Sequence, residues 1–339
     1  MQPARQHTVT GARTPGPLPD MPAAHHQPPA LRSGSRVALV SPAGPPTEQR
    51  LSRGAAHLRN WGLDVVVAPH ARATQQLSYL AGSDRDRAAD LQSAWLDPSI
   101  EAVLCTKGGY GAQRLIEYLD FAAMGEARPK IFAGYSDITA LHEAFSTQLG
   151  VPTLHAPMPA CEPFLSSEIS RRYLHQALFG AGQDVVLKPQ TLDLPAARTL
   201  IPGRAEGVTA GGCLSLLAAE IGTPTSRPGA HSALVVLEDI DETPDRIDRM
   251  LTQLLRCGWF APAAGIVIGS WHNCGDTEEI DRVVVDRLGP LNIPIITDFG
   301  FGHGPVSMTV PLGVAATLDT EDGSLRTAWN PPPRERAAG

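Results

Sequence analysis

"KIFAGYSDITALHEAF", residues 130–145, decides how this chain is read. Apolar residues 131–133 run into Gly134, and Ile138, Leu141, Phe145 and Leu149 then recur at helical spacing. A short buried strand that turns directly into a helix is the repeating unit of a parallel α/β sheet. Gly134 gives the backbone room to reverse, and Ser136 stands at the head of the helix. Two readings are open there. A serine in that place caps a helix by accepting from its first N–H groups. It also occupies the place of a nucleophile elbow, where free N–H groups at the helix head can meet an oxyanion. Ile138 takes the position of the last glycine of G-x-S-x-G, so the motif is incomplete.

The same alternation recurs before this stretch. "RVALVSPAG" (36–44) reads as a strand entering a loop, and residues 47–62 as a helix. "LDVVVAP" (63–69) is a second strand, residues 84–97 a helix, and "IEAVLCTK" (100–107) a third strand. "GGYGAQRLIEYLD" (108–120) is a glycine loop opening a helix. Gly108, Gly109 and Gly111 suit the approach of backbone N–H groups to an anion, or simply a tight turn. They fit neither G-x-G-x-x-G nor a P-loop. The pattern fades at residues 181–205, rich in Pro, Gly and Ala, which read as the connection between two domains. Beyond it lie a helix at 211–222, a strand at 232–240 and a helix at 243–258, with Thr243 as cap and Pro244 in its first turn. Its apolar stripe is Ile247, Met250, Leu251, Leu254 and Leu255. Further strands follow in 265–271, 293–304 and 314–328. The expected organisation is a tail (1–34), a serine-bearing α/β domain (35–180), a linker (181–205), a second α/β domain (206–330) and a short tail (331–339).

Bulk composition narrows the function classes. With 339 residues, 42% of them hydrophobic and 19% charged, the chain can bury a sizeable core without staples. A net charge of −7 without a Lys/Arg block argues against nucleic acid or an anionic membrane as partner. The five cysteines are scattered and never spaced CxxC, so neither a zinc ribbon nor a disulfide framework is expected. No apolar run reaches the ~20 residues of a membrane-spanning helix, and the N-terminus has no hydrophobic signal core. Its Pro, His, Gln and Ala bias reads as a disordered tail. No HExxH or Cys/His ligand spacing is present, so no metal and no cofactor are expected; His142, His155 and His272 read as packing or surface residues.

Two further features carry chemistry. Glu238 and Asp239 end a hydrophobic strand in "VVLEDIDETP", where acids either orient a histidine or are simply solvated. His303 sits among glycines in "DFGFGHGPVS", where its near-neutral pKa suits a general base.

Taken in order, "VALVSPAGP", "KGGYGAQRL", "GYSDITALH", "LHAPM", "EGVTAGGCLSLLAAEIGTP", "LEDIDETPDRIDRMLTQL" and "DFGFGHG" resemble the LD-carboxypeptidase family of serine peptidases. That family includes muramoyltetrapeptide carboxypeptidases and microcin C immunity peptidases. The resemblance spans roughly residues 35–320. It implies a flavodoxin-like N-terminal domain carrying the serine and a smaller C-terminal α/β domain carrying the other groups. By motif, the nucleophile is Ser136, the base His303 and the orienting carboxylate Glu238. The backbone N–H groups of Asp137 and Gly109 would form the oxyanion hole. The resemblance further implies a cofactor-free cytoplasmic hydrolase, a homodimer, and a muropeptide substrate from which terminal D-alanine is released. The immunity branch offers a peptidyl-nucleotide as the other substrate, and an α/β protein that only binds an anion is the reading from another class. The sequence departs from the family at Lys107, where arginine is usual, at Cys213, where asparagine is usual, and at Ala156, where glycine is common. Lysine keeps the charge but lacks the planar fork.

Overall fold

A computed structural model describes residues 27–182, 184–192 and 197–332. The first strands are β1 (Arg36–Val40), β2 (Asp64–Val67), β3 (Ala102–Cys105), β4 (Ile131–Gly134) and β5 (Thr153–His155). They are followed by β6 (Val185–Leu187), β7 (Arg198–Ile201), β8 (Arg204–Cys213), β9 (Ala233–Ile240), β10 (Gly265–His272) and β11 (Ile295–Thr297). The last are β12 (Val310–Leu312), β13 (Ala315–Asp319) and β14 (Ser324–Thr327).

Six of these strands form a sheet in the order β12-β5-β4-β3-β1-β2, parallel from β2 to β5 with β12 antiparallel at the edge. The parallel part has the flavodoxin-like order 2-1-3-4-5, in which ligands gather at the carboxyl ends of the strands beside the β1/β3 switch point. Strands β3 and β4 are buried along their whole length, as expected of strands covered on both faces. Helices Glu48–Asn60 and Asp84–Leu96 lie in the β1–β2 and β2–β3 crossovers, each headed by a capping side chain, Thr47 and Ser83. The second sheet runs β6-β14-β13-β8-β9-β10-β11-β7, with β8 to β11 parallel and the outer pairs antiparallel. Helix Pro244–Arg256 packs Ile247, Leu251 and Leu254 into its core. Thr243 stands at its N-cap position, but the hydroxyl donates to Asp245 Oδ1 at 2.6 Å instead of capping the backbone.

Several segments differ from the sequence reading. Residues 185–187 and 198–201, read as linker, are β6 and β7, the two edges of the second sheet. Edge strands need only one pairing face and tolerate flanking Pro and Gly, so they leave a weak pattern. Strand β12 returns to the first sheet, so the chain crosses between the two sheets more than once. Of the expected N-terminal tail, residues 1–26 lie outside the described residues, as do 333–339 at the other end. Residues 27–34 pack: Leu31 is buried and its N–H donates to Leu178 O, and Ala30 N–H donates to Pro332 O. Among the described residues no helix is long and apolar enough to cross a membrane.

The two sheets meet along the helix that follows Ser136. Thr139 Oγ1 accepts from Cys213 N–H at 3.0 Å, and a Cβ on Gly212 would lie 2.5 Å from that oxygen, so the Thr139 side chain reaches the β8 backbone because residue 212 is glycine. Gln113 donates to Glu220 at 2.6 Å, and Arg227 pairs with buried Glu143. The helix that follows β4 is thereby held against the end of β8 and the segment after it.

Candidate active site

Strand β4 ends at Gly134, Tyr135 is extended, and Ser136 takes the left-handed φ of 65°. Such a backbone costs a serine about 1–2 kcal/mol and belongs to a sharp strand-to-helix turn. A capping residue is extended instead, and the N-cap of helix Thr139–Ala144 is Ile138. The turn is held from both sides. A Cβ on Gly134 would lie 2.8 Å from Ile138 Cγ2, and His142 Nε2 donates to Gly134 O at 3.0 Å. Burial pulls the His142 pKa down to about 3, so the ring is neutral and its donor nitrogen is fixed by this bond.

The glycine loop lies directly on the serine. A Cβ on Gly108 would come within 2.9 Å of Ser136 Cβ and 3.0 Å of Oγ. The Gly108 N–H is directed at the Cys161 sulfur, and its carbonyl accepts from Gly44 N–H at 3.1 Å. In a trans peptide the following N–H points opposite to the carbonyl, so that of Gly109 faces away from Gly44. Asp137 joins the loop to the elbow through its side chain, a role the sequence reading did not give it. Its Oδ2 accepts from Ala112 N–H at 2.7 Å. Burial raises its pKa to about 6, against the opposing pull of the Ala112 N–H and Arg87. Arg87, fully buried, donates to Pro42 O and to Gly111 O, clamping the β1 and β3 loops together. Gly108→Ala is expected to push the hydroxyl aside, slowing phosphonylation of Ser136 by a fluorophosphonate about 10- to 100-fold. The thermal midpoint should move by only about a few degrees, so a rate unchanged from wild type would contradict this packing.

Glu238 lies near the end of β9, fully buried, and His303 on the loop after β11. His303 Nδ1 donates to Glu238 Oε2 at 2.6 Å, and its ring packs 4.7 Å from that of Tyr135, the residue before Ser136. Burial alone would raise the Glu238 pKa; the His303 charge and hydrogen bonds from His155 and His303 outweigh it and hold it at about 2. For His303, burial works against the charge, but the carboxylate charge and hydrogen bond of Glu238, with Asp239 and Asp241, leave its pKa raised. The pair is thus a buried carboxylate facing a basic imidazole. Gly302, at φ 101°, lets the loop approach: a Cβ there would lie 2.7 Å from Glu238 Oε2. Ser307 Oγ accepts from Gly302 N–H at 3.1 Å, Ser270 Oγ from Gly304 N–H at 3.2 Å, and Ser170 Oγ from Ser307 N–H at 2.9 Å. Ser307 belongs to the loop itself, whereas Ser170 and Ser270 reach it from distant elements and are marked by no motif.

The departures noted in the sequence have local structural answers. Cys213 donates through Sγ to Asp239 Oδ1 at 3.2 Å, beside the Ser215 N–H that donates to Oδ2 at 2.7 Å, so Asp239 stays held. Ala156 is buried and has no left-handed backbone, so its methyl is accommodated. Lys107 is exposed, with Nζ 3.5 Å from where a Cβ on Gly44 would stand, at the mouth shared by the β1 and β3 loops. His142 is a packing residue as read, whereas His155 is buried against Glu238. Among the described residues no group of three or more His, Cys, Asp or Glu is arranged to hold a metal.

Comparison with known proteins bears on this geometry. Residues 37–156 match the LD-carboxypeptidase N-terminal domain and residues 206–318 the LD-carboxypeptidase C-terminal domain. A Streptomyces coelicolor protein, whose name assigns it provisionally to the carboxypeptidases, is 50% identical over 302 residues, 88% of this chain and 95% of that protein. The murein tetrapeptide carboxypeptidase of Pseudomonas aeruginosa is 30% identical over 294 residues, 84% of this chain and 93% of its own. Among solved structures, an MccF-like protein from Bacillus anthracis superposes with a TM-score of 0.78 at 26% identity, covering 89% of this chain and 98% of that one.

Proposed function

Since the chain belongs to the LD-carboxypeptidase family and is a carboxypeptidase of the serine type, we propose that it releases terminal D-alanine from muropeptide tetrapeptides by a Ser136–His303–Glu238 triad, in peptidoglycan recycling. The observation that carries the triad is the 2.6 Å His303–Glu238 pair lying against Tyr135, one residue before a serine with a left-handed backbone. His303 Nε2 takes the Ser136 proton as Oγ attacks the carbonyl carbon that precedes the terminal D-residue. Glu238 fixes the Nδ1–H tautomer and stabilises the imidazolium. Negative charge on the carbonyl oxygen is met by the N–H groups of Asp137 and Gly109, each worth roughly 3 kcal/mol in the transition state. Collapse of this intermediate passes the proton from His303 to the leaving amine, and D-alanine departs. Water, deprotonated by His303, then attacks the acyl-serine, releasing the shortened peptide and restoring the hydroxyl.

The tetrapeptide follows the murein tetrapeptide carboxypeptidase relative, and the likeness to an MccF-like structure supports an immunity peptidase acting on a peptidyl-nucleotide as the second reading. Incubation with tetrapeptide and pentapeptide muropeptides and with a peptidyl-nucleotide, followed by mass spectrometry, separates them. Loss of one alanine from the tetrapeptide is the expected result. Cleavage of the peptidyl-nucleotide alone would favour the second reading, and no cleavage of either would overturn both.

A further inference from the structure

Glu238 faces two imidazoles. One carboxylate oxygen, Oε2, is taken by His303; the other, Oε1, lies 3.5 Å from His155 Nε2. His155 and Glu238 are both completely buried, so neither is paired with bulk water. His155 comes from the first sheet, on β5, where it pairs with Gly134, two residues before Ser136, on one side and with Val310 on the other. Its ring lies edge-on to Tyr135 at 5.8 Å and to Phe301 at 5.7 Å. Tyr135 therefore stands against both imidazoles, and Glu238 between them. Among the described residues His155 Nδ1 has no hydrogen-bond partner, so the ring's polar contact there is the one through Nε2. A buried aromatic there would fill the space without leaving a nitrogen unsatisfied. The histidine brings an N–H to the only carboxylate oxygen that His303 does not use.

We propose that His155 is a positioning residue for the reaction: its Nε2–H holds Glu238 Oε1, so that Oε2 stays aligned with His303 Nδ1. The inference rests on the triad reading. It also gives the six-stranded sheet a hand in orienting a carboxylate that belongs to the eight-stranded one. Donation to Oε1 stabilises the carboxylate's charge and so moderates its pull on the His303 proton. The charged and titratable groups around this pair are Asp239 and Asp241 beside His303, the Cys213 thiol beside Glu238, His142 beside His155, and the Tyr135 phenol, which stands against both rings and meets the Cys161 thiol.

The test is the pH profile of Ser136 phosphonylation by a fluorophosphonate, together with kcat and KM on tetrapeptide, for wild type, His155→Phe and His155→Gln. Phenylalanine keeps the ring packing and loses the donor, and glutamine keeps an N–H. His155→Phe is expected to lower kcat about 10- to 100-fold, the effect of one hydrogen bond to a buried charge, with KM unchanged. Its acid limb should move to higher pH, because a Glu238 carboxylate that has lost the His155 donor pulls harder on the His303 proton. His155→Gln is expected to recover most of the rate and the wild-type limb. A His155→Phe enzyme with wild-type kcat and limb would overturn the inference. So would two variants equally slowed, with reduced thermal midpoints and unmoved limbs, since that pattern is packing alone. Ser136→Ala, measured alongside, keeps the failures apart: undiminished D-alanine release in that variant would refute the triad itself.

Discussion

Ser136→Ala is expected to abolish D-alanine release, lowering kcat by roughly a million-fold, as removal of the nucleophile does in other serine peptidases. The substitution removes one oxygen from a site whose other parts stay in place. Ser136 is only partly buried and its hydroxyl fills no core volume, so folding should be retained. The left-handed backbone at residue 136 remains because Gly134, Ile138 and the His142–Gly134 bond enforce it. Alanine tolerates that φ about as poorly as serine, so the thermal midpoint should change little. Substrate should still bind with near-normal affinity, because the N–H groups of Asp137 and Gly109 belong to the backbone. Loss of turnover with preserved binding, measured by calorimetry on the inactive variant, is the pattern that separates chemistry from misfolding.

Glu238→Gln is expected to lower kcat by about 10⁴-fold, the cost of holding the base in the wrong tautomer. The accompanying pH shift is specific in sign. In the wild-type enzyme the Glu238 carboxylate is ionised throughout the working range, its pKa held at about 2. Its charge is what lifts His303 against the burial that would lower it. The wild-type acid limb of kcat/KM is therefore expected above the ordinary histidine value of about 6.5. With a neutral amide at residue 238, burial prevails, the imidazolium is less favoured, and the limb moves to lower pH. Asp239, raised to about 6 by burial and then by the charge of Glu238, ionises more readily once that charge is gone and offsets part of the shift. Residual activity of Glu238→Gln thus moves in the opposite direction to that expected for His155→Phe. A Glu238→Gln limb at or above the wild-type position would contradict the assignment of His303 as the base.

What was legible in the sequence follows from where the information lies. Strands β1, β3 and β4 read clearly because burial on both faces makes them continuous apolar runs ending in glycine or proline loops. The sequence singles out Ser136, Glu238 and His303 by motif: Glu238 stands near the end of a strong strand, and glycines lie beside Ser136 and His303. The rest depends on pairing across long separations. β6 and β7 are short edges in Pro- and Ala-rich sequence, and β12 joins β5 across more than 150 residues. His155 looked like an isolated histidine because Glu238 lies 83 positions away and on the other sheet. No motif marks Arg87, yet it is buried and clamps two loops. The sequence offers Asp137 for its N–H alone, and only the fold brings Ala112 to its carboxylate. In each case the residue type was visible and the partner was not.

Everything proposed for the chemistry depends on Ser136 being the reacting atom's owner, and covalent labelling reads that in one experiment. Native protein is treated with a fluorophosphonate, and intact-mass analysis is followed by peptide mapping. The expected result is one phosphonyl adduct per chain on the peptide containing Ser136, lost in Ser136→Ala, strongly slowed in His303→Ala, and absent from denatured protein. An enzyme that releases D-alanine while Ser136 stays unlabelled, or that carries its adduct on another residue, would contradict it.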